Sequence, residues 1–373
     1  MQYTALSLVQ QRIVLGRPLP FNVRDSDGTL LLARGQVIGS ADQREALFKR
    51  GALVDLAELQ SPADKVRLAT PAELPGLWNE SMDRLGQTLR DSERDGFVDA
   101  LQDATPPVLA LIERDKDLAI FQVLRQQGNA HVQYGVNHSM HAAITSSLVA
   151  QRLGWSSDDA QRAFKTALTM NLSMLELQGQ LALQTSPPSP DQRAAIQAHP
   201  AFSRTLLEMS GVTDTDWLTA VEQHHEAPDG SGYPCGVRVC TDLAALVRRV
   251  DIYTAKLSPR ATRRAVDADK AGRTMFMQEP SHPVVLAMVK EFGVYPPGCM
   301  VRLVSGESGL VVRRGPTVTT PIVAAMAAAS GASLSQPVRR DTSQREHAVH
   351  SVLAPNAGKM QIAPELLMAL AAA

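Results

Sequence analysis

His224-His225-Glu226-Ala227-Pro228-Asp229-Gly230-Ser231-Gly232-Tyr233-Pro234 closes a helical pattern and opens a glycine-rich loop. Neighbouring residues on a helix point about 100° apart. The two imidazoles are therefore expected to address two adjacent ions, or one ion and one ligand. Imidazole is the commonest side-chain metal ligand. The Asp-Gly-Ser-Gly run needs backbone freedom, which Gly230 and Gly232 supply. A histidine pair by itself reads more readily as two hydrogen-bonded structural residues. The pair followed by Gly-Tyr-Pro points instead to a site.

Upstream and downstream of this stretch the chain reads as helical. Apolar spacing predicts helices over 144–153, 158–177, 191–209, 214–226 and 243–253. Two further histidines sit in these patterns: His138, at a helix opening in Tyr134-Gly135-Val136-Asn137-His138-Ser139, and His199 in His199-Pro200. His141 follows His138 by three residues on the same helix face, which suits a supporting or surface position. His131, His282, His347 and His350 read as loop or surface residues. Arg260, Arg263 and Arg264, with Arg248 and Arg249 before them, are the best anion-binding candidates, since a guanidinium grips phosphate bidentately. The same residues also fit a solvated helix face.

The flanks differ from this core. The segment 1–60 reads as a small α+β module. Strand formers lie at 13–15, 21–24 and 30–32, Asp27-Gly28 is a hairpin turn, a short helix starts after Ser40, and a last strand covers 52–56. Ser61 to Pro75 is polar and proline-bearing and reads as a linker, and helical spacing through Leu77, Met82, Leu85 and Leu89 makes 61–102 a linker and helical connector. Pro106-Pro107 is expected to break the helix that follows. The central helical domain is placed at 103–292. A β-rich module is placed at 293–373, with strands near 300–303, 310–313, 322–328 and 348–353 and an apolar helix end at 366–373. The expected fold class is mainly α, a helical bundle flanked by small β-containing modules.

Bulk properties narrow the partners. The 373 residues are 44% hydrophobic, 20% charged and 4% aromatic, with a formal net charge of -1. That balance gives no global attraction to duplex nucleic acid or to a membrane surface. No run approaches the roughly 20 apolar residues of a membrane span, and residues 1–12 lack the order of a signal peptide. Cys235, Cys240 and Cys299 form no disulfide framework or zinc-ligand spacing, which fits reduced thiols and a cytoplasmic location.

The stretch from His224 to Pro234 closely resembles the signature of the HD-GYP family, and the family's other landmarks follow in order. His138-Ser139 resembles its first ligand histidine, His199-Pro200 its His-Pro ligand, and Val250-Asp251-Ile252-Tyr253 its later aspartate motif. Arg260 and Arg263 match the two arginines of its phosphate-contacting segment. The resemblance covers about 103–292. It implies a helical bundle holding a cluster of metal ions, often iron or manganese, that hydrolyses cyclic di-GMP. It also implies that Gly232, Tyr233 and Pro234 handle substrate and contact diguanylate cyclase domains.

The resemblance breaks between His138 and His199. Where the family reads roughly Ala-Leu-Leu-His-Asp-Ile-Gly-Lys, this chain has Ala167-Leu168-Thr169-Met170-Asn171-Leu172-Ser173-Met174. Met170 stands at the histidine, Asn171 at the bridging aspartate and Met174 at the lysine. A neutral carboxamide leaves two cations uncompensated, a thioether suits soft Cu(I) rather than iron or manganese, and the phosphate-directed ammonium is gone. Thr254 also replaces the aspartate usual three residues after Asp251. The surviving set is His138, His199, His224, His225 and Asp251. It either holds one divalent ion, iron, manganese or similar, or forms a metal-free core of hydrogen-bonded histidines. The expected function is cyclic di-GMP signalling by binding a cyclic dinucleotide, a diguanylate cyclase or another signalling domain, with no confidently catalytic residue. The alternatives are an active phosphodiesterase with a reduced metal site and a non-catalytic scaffold.

Overall fold

The structure is a computed structural model that describes residues 2–124 and 133–353, and it divides into two compact units, Met1–Leu68 and Ala69–Ala373. The expected residues His131 and 366–373 lie outside the described residues.

In the first unit, strands β1 (Tyr3–Ala5), β2 (Val23–Arg24), β3 (Leu30–Leu32) and β4 (Leu53–Asp55) form one antiparallel sheet in the order β1-β4-β2-β3. Gly28 takes the left-handed conformation (φ 88°) in the β2–β3 turn, as Asp27-Gly28 implied. Helix α1 (Ala41–Lys49) starts where Ser40 accepts a hydrogen bond from the Gln43 amide. Helices α2 (Leu56–Leu59) and α3 (Pro62–Leu68) follow. Leu6, Ile13, Phe21, Val23, Ile38 and Val54 form the core. Two expectations fail here. The segment 13–15 is not a strand: a 3-10 helix over Leu6–Arg12 carries Leu6 and delivers Ile13 into the core instead, and the unanticipated β1 pairs with β4. The segment 61–75 is also more than a linker. Pro62 opens α3, and Pro71 opens a 3-10 turn capped reciprocally by Thr70 and Glu73.

The second unit is mostly helical: α4 (Leu74–Arg90), α5 (Phe97–Arg114), α6 (Lys116–Leu124), α7 (Tyr134–Arg152), α8 (Ser157–Thr169), α9 (Leu175–Leu183), α10 (Pro190–Met209), α11 (Thr215–Gln223), α12 (Asp242–Leu257), α13 (Ala268–Gln278) and α14 (Pro283–Phe292). Pro106 and Pro107 lie inside α5 without ending it. Leu101, Val108, Leu111 and Ile112 bury one face of that helix, which offsets the lost backbone bonding. Helix α7 is the axis of the bundle and packs on α4, α6, α8, α9, α12 and α14. Its small residues, Ala142, Ala143, Ser146 and Ser147, are fully buried and let neighbours approach closely.

Strands β5 (Met300–Leu303), β6 (Ser308–Arg313), β7 (Ile322–Ala327), β8 (Ser333–Asp341) and β9 (Val349–Leu353) form an antiparallel sheet ordered β8-β7-β6-β5-β9 in the same unit. The sequence pattern missed β8 because it is a polar edge strand interrupted by Pro337, and a proline in a strand is tolerated at an edge. Just past β6, Arg314 pairs with Asp117 of α6 and with the buried Glu291 of α14, which Arg152 of α7 also engages. The sheet is thereby pinned to the helices that surround α7. Among the described residues no helix is long and apolar enough to cross a membrane.

Candidate metal centre

Helices α10 and α11 deliver the first two imidazoles. His199 lies mid-helix in α10, one residue before Pro200, and its Nδ1–H donates to the Ile196 carbonyl at 2.6 Å. His224 is the residue just past α11, its C-cap, and its Nδ1–H donates to the Val221 carbonyl at 2.6 Å. A carbonyl can only accept, so each Nδ1 carries the proton and each neutral ring presents a lone pair at Nε2. These two Nε2 atoms face each other at 3.2 Å in a buried environment. Burial lowers the proton affinity of His199 to about 4 and that of His224 well below its usual value, with the neighbouring imidazoles adding to both shifts. Two buried lone pairs with no proton between them repel unless a cation joins them. Ligands about 2.1 Å from one ion, at angles of about 90–110°, are about 3.0–3.4 Å apart. The observed separation falls in that range.

His225 completes the group. The sequence reading treated His224 and His225 as neighbours on a continuing helix and pointed them apart. Because α11 ends at Gln223, that rule does not apply: the two rings are 4.2 Å apart, and the ligand atoms of His199, His224 and His225 all lie within 4.8 Å of one another. His225 stacks on Tyr233 at 4.6 Å, and burial lowers its proton affinity as well.

The other two expected ligands lie outside this group of ligand atoms but beside it, on the cavity wall that also holds His225. His138, in the first turn of α7, donates from Nε2 to Oδ1 of Asp251 on α12 at 2.7 Å, and its buried Nδ1 has no partner among the described residues. Burial opposes the charge of Asp251, but the His138 hydrogen bond and the surrounding imidazoles outweigh it and hold the carboxylate ionised. Both residues border a cavity of about 170 Å³, whose wall also includes Asn171, Met174, Gln178, Ile196, His225, Tyr233 and Arg260. His141 is buried, not at the surface, and burial lowers its proton affinity to about 4.

The turn from Met170 to Met174 lies where α8 stops and a 3-10 turn leads into α9, so the helix expected over 158–177 is interrupted there. Met170 is wholly buried. Met174 lines the cavity where the resemblance sets a lysine. Asn171 is 1% exposed, and neither its Oδ1 nor its Nδ2 has a hydrogen-bond partner among the described residues. Buried amides normally satisfy both ends, so this position asks for something beyond the described side chains. Gln178 Oε1, on the same wall, is also without a partner.

The loop after His225 is braced from inside. Glu226 is 1% exposed and accepts the amides of Cys235 and Gly236 at 2.7 and 3.1 Å. Gly232 sits so close to the Glu226–Ala227 backbone that a Cβ would lie 2.3 Å from the Ala227 nitrogen. Tyr233 is joined to Pro234 by a cis peptide bond. Arg260 reaches the cavity with its Nε donating to the Tyr134 hydroxyl at 3.0 Å and its guanidinium 5.2 Å from that ring's centre. Arg263 is exposed and donates to the Ala255 carbonyl, outside the cavity wall. Arg249 is committed to Glu279. The motif reading could not have found Gln178 and Ile196, which enter from helix faces outside the motifs. Tyr134 carried a signal, since it stands four residues before His138 in the quoted helix opening.

No protein-family model matches the chain. Two curated relatives do. A cyclic di-GMP phosphodiesterase of Pseudomonas aeruginosa is 38% identical over 106 residues, covering 27% of this chain and 25% of that protein. A 3'3'-cGAMP-specific phosphodiesterase of Vibrio cholerae is 28% identical over 161 residues, covering 42% of this chain and 34% of that protein. The chain thus spans about a quarter to a third of the curated relatives it matches. Among solved structures, a protein of Bdellovibrio bacteriovorus described as an HDG"Y"P protein superposes with a TM-score of 0.50 at 16% identity, over 78% of this chain and 98% of that one. The chain is thus similar in part of its sequence to cyclic dinucleotide phosphodiesterases and in fold to an HD-GYP-type protein. The His224–Pro234 loop carries the resemblance noted in the sequence, and Met170-Asn171 stand where that resemblance sets a His-Asp pair.

The donor set fits one ion. Three imidazoles converge with two lone pairs at coordination spacing. It fits a bridged pair poorly, because where the resemblance sets a bridging carboxylate the chain has Asn171, a neutral group with one acceptor oxygen.

Proposed function

We propose that this HD-GYP-type protein acts in cyclic dinucleotide signalling by binding, holding one divalent ion and a phosphodiester without turning it over efficiently. The observation that carries this reading is Asn171, buried, unpartnered and set at the bridging position. Efficient in-line displacement at a paired metal site clamps both the attacking and the leaving oxygen. With Asn171 in place of a carboxylate, one of those clamps is missing. A bound ion would supply Lewis-acid polarisation of a phosphoryl oxygen.

The chain's own residues supply the rest. Arg260, steadied by Tyr134, offers a fixed guanidinium to a phosphate oxygen. Tyr233, stacked on His225, offers an aromatic face and a hydroxyl whose proton is held firmly by burial. At about 170 Å³ the cavity is smaller than the roughly 300–1,000 Å³ that encloses a whole drug-sized ligand. It therefore admits one phosphodiester while the bases lie outside. The names of the two curated relatives favour cyclic di-GMP or 3'3'-cGAMP as that ligand.

The test is calorimetric titration of both nucleotides into metal-loaded protein, run beside a product assay. Saturable binding is expected, weakened about 10-fold or more by Arg260→Ala, as suits the loss of one charge-assisted contact. Turnover is expected to stay low in the wild type and to rise in Met170→His/Asn171→Asp. Robust hydrolysis by the wild type would reject the reading.

A further inference from the structure

We infer that His199, His224 and His225 alone form a three-imidazole site selective for a single zinc ion, and that this protein does not share the iron or manganese preference implied by the family resemblance. The inference rests on the proposal that the domain holds one ion, and it adds which residues bind it and which metal they select.

Three observations on the donors carry it. The three ligand nitrogens lie within 4.8 Å of one another, and two of them are at 3.2 Å. The rings of His199 and His224 are oriented by the same device used twice. Each Nδ1–H is tied to the carbonyl three residues earlier in its own helix, which fixes the tautomer and aims Nε2 at the shared point. No carboxylate belongs to the group. Asp251 borders the same cavity as His225 but is engaged by His138, Glu226 lies outside the group of converging ligand atoms with its Oε1 on two backbone amides, and position 171 is an amide.

Donor chemistry then decides between metals. Manganese, magnesium and ferrous iron draw affinity from hard, charged oxygens, and this cluster offers none. A neutral set of three imidazoles suits zinc, which is content with three histidines and one exchangeable position. The affinity order of divalent ions for nitrogen ligands also places manganese and iron below zinc. Met174, on the adjoining cavity wall, offers only a soft thioether and no hard donor.

Metal-free protein, prepared with a chelator, would be titrated with Zn²⁺, Mn²⁺ and, anaerobically, Fe²⁺ against a chromophoric competitor. One equivalent of Zn²⁺ is expected to bind, on the order of 100-fold or more tighter than Mn²⁺. His224→Ala should abolish that binding. Its folding would be checked by circular dichroism in chelator, and His225→Ala serves as the second variant. Zinc X-ray absorption should show a first shell of three imidazoles and one further light atom. Mn²⁺ or Fe²⁺ binding as tightly as Zn²⁺, two equivalents of metal, or stoichiometric zinc retained in both folded histidine variants would overturn the assignment. Nucleotide titrations in zinc and in chelator separate the two claims: absent nucleotide binding with selective zinc uptake defeats the signalling reading alone, and nucleotide binding without metal selectivity defeats this one.

Discussion

The loop from His224 to Pro234 and the turn from Met170 to Met174 border the same cavity, yet only the first keeps the residues of the HD-GYP resemblance. The loop is locked through its backbone. Gly232 is pressed against the backbone of Glu226 and Ala227, Glu226 holds two amides, and Tyr233 lies on His225. A change at one of these positions disturbs the others. The turn is different. Its backbone is an ordinary helix end running into a 3-10 turn, and its altered residues act only through their side chains. Met170 packs into the core, and Asn171 projects an amide that nothing satisfies. Chemistry can therefore be lost at the turn with the fold intact, whereas loss at the loop would take the local structure with it.

The contrast can be broken most directly at Gly232. Gly232→Ala places a Cβ against backbone atoms that cannot swing aside, and a loss of about 3 kcal/mol or more in urea unfolding is expected, together with nucleotide binding. Glu226→Ala strands the Cys235 and Gly236 amides and should cost about 2–3 kcal/mol by the same measurement. Changes at the turn should be smaller and should depend on metal. Asn171→Asp adds a carboxylate to a wall that already holds Asp251, so the metal-free protein should lose about 2 kcal/mol. Saturating Mn²⁺ should reverse that sign, with the variant melting above the wild type. Asn171→Leu removes an unsatisfied amide and should leave metal-free stability unchanged or raise it by up to about 1 kcal/mol. If the loop variants prove mild, or Asn171→Leu costs more than Gly232→Ala, the distinction between the two regions fails.

Much of this arrangement was legible in the sequence because the signature residues are consecutive or nearly so. The His224–Pro234 run, the capped helix start at Ser40, and the Asp27-Gly28 turn each carry their information within a few residues. What failed to show depends on where elements end or on which faces meet. The convergence of His224 and His225 turns on α11 stopping at Gln223, and helix boundaries are the weakest part of any pattern. The pairing of His138 with Asp251 depends on how α7 and α12 meet. Strand β8 has no apolar face to announce it, and α5 runs through its prolines because burial of its apolar face outweighs local propensity.

The 3.2 Å approach of His199 to His224 has a mechanical consequence as well. These rings stand 25 residues apart in the chain, on two different helices. An ion shared between them is a removable cross-link that closes a loop of that length, a constraint worth about 3 kcal/mol on the chain-entropy account of such staples. Loading and unloading the ion would then switch how tightly α10 and α11 are fastened together. The stiffness of this half of the bundle becomes a readout of metal supply, independent of whether any phosphodiester is ever cut.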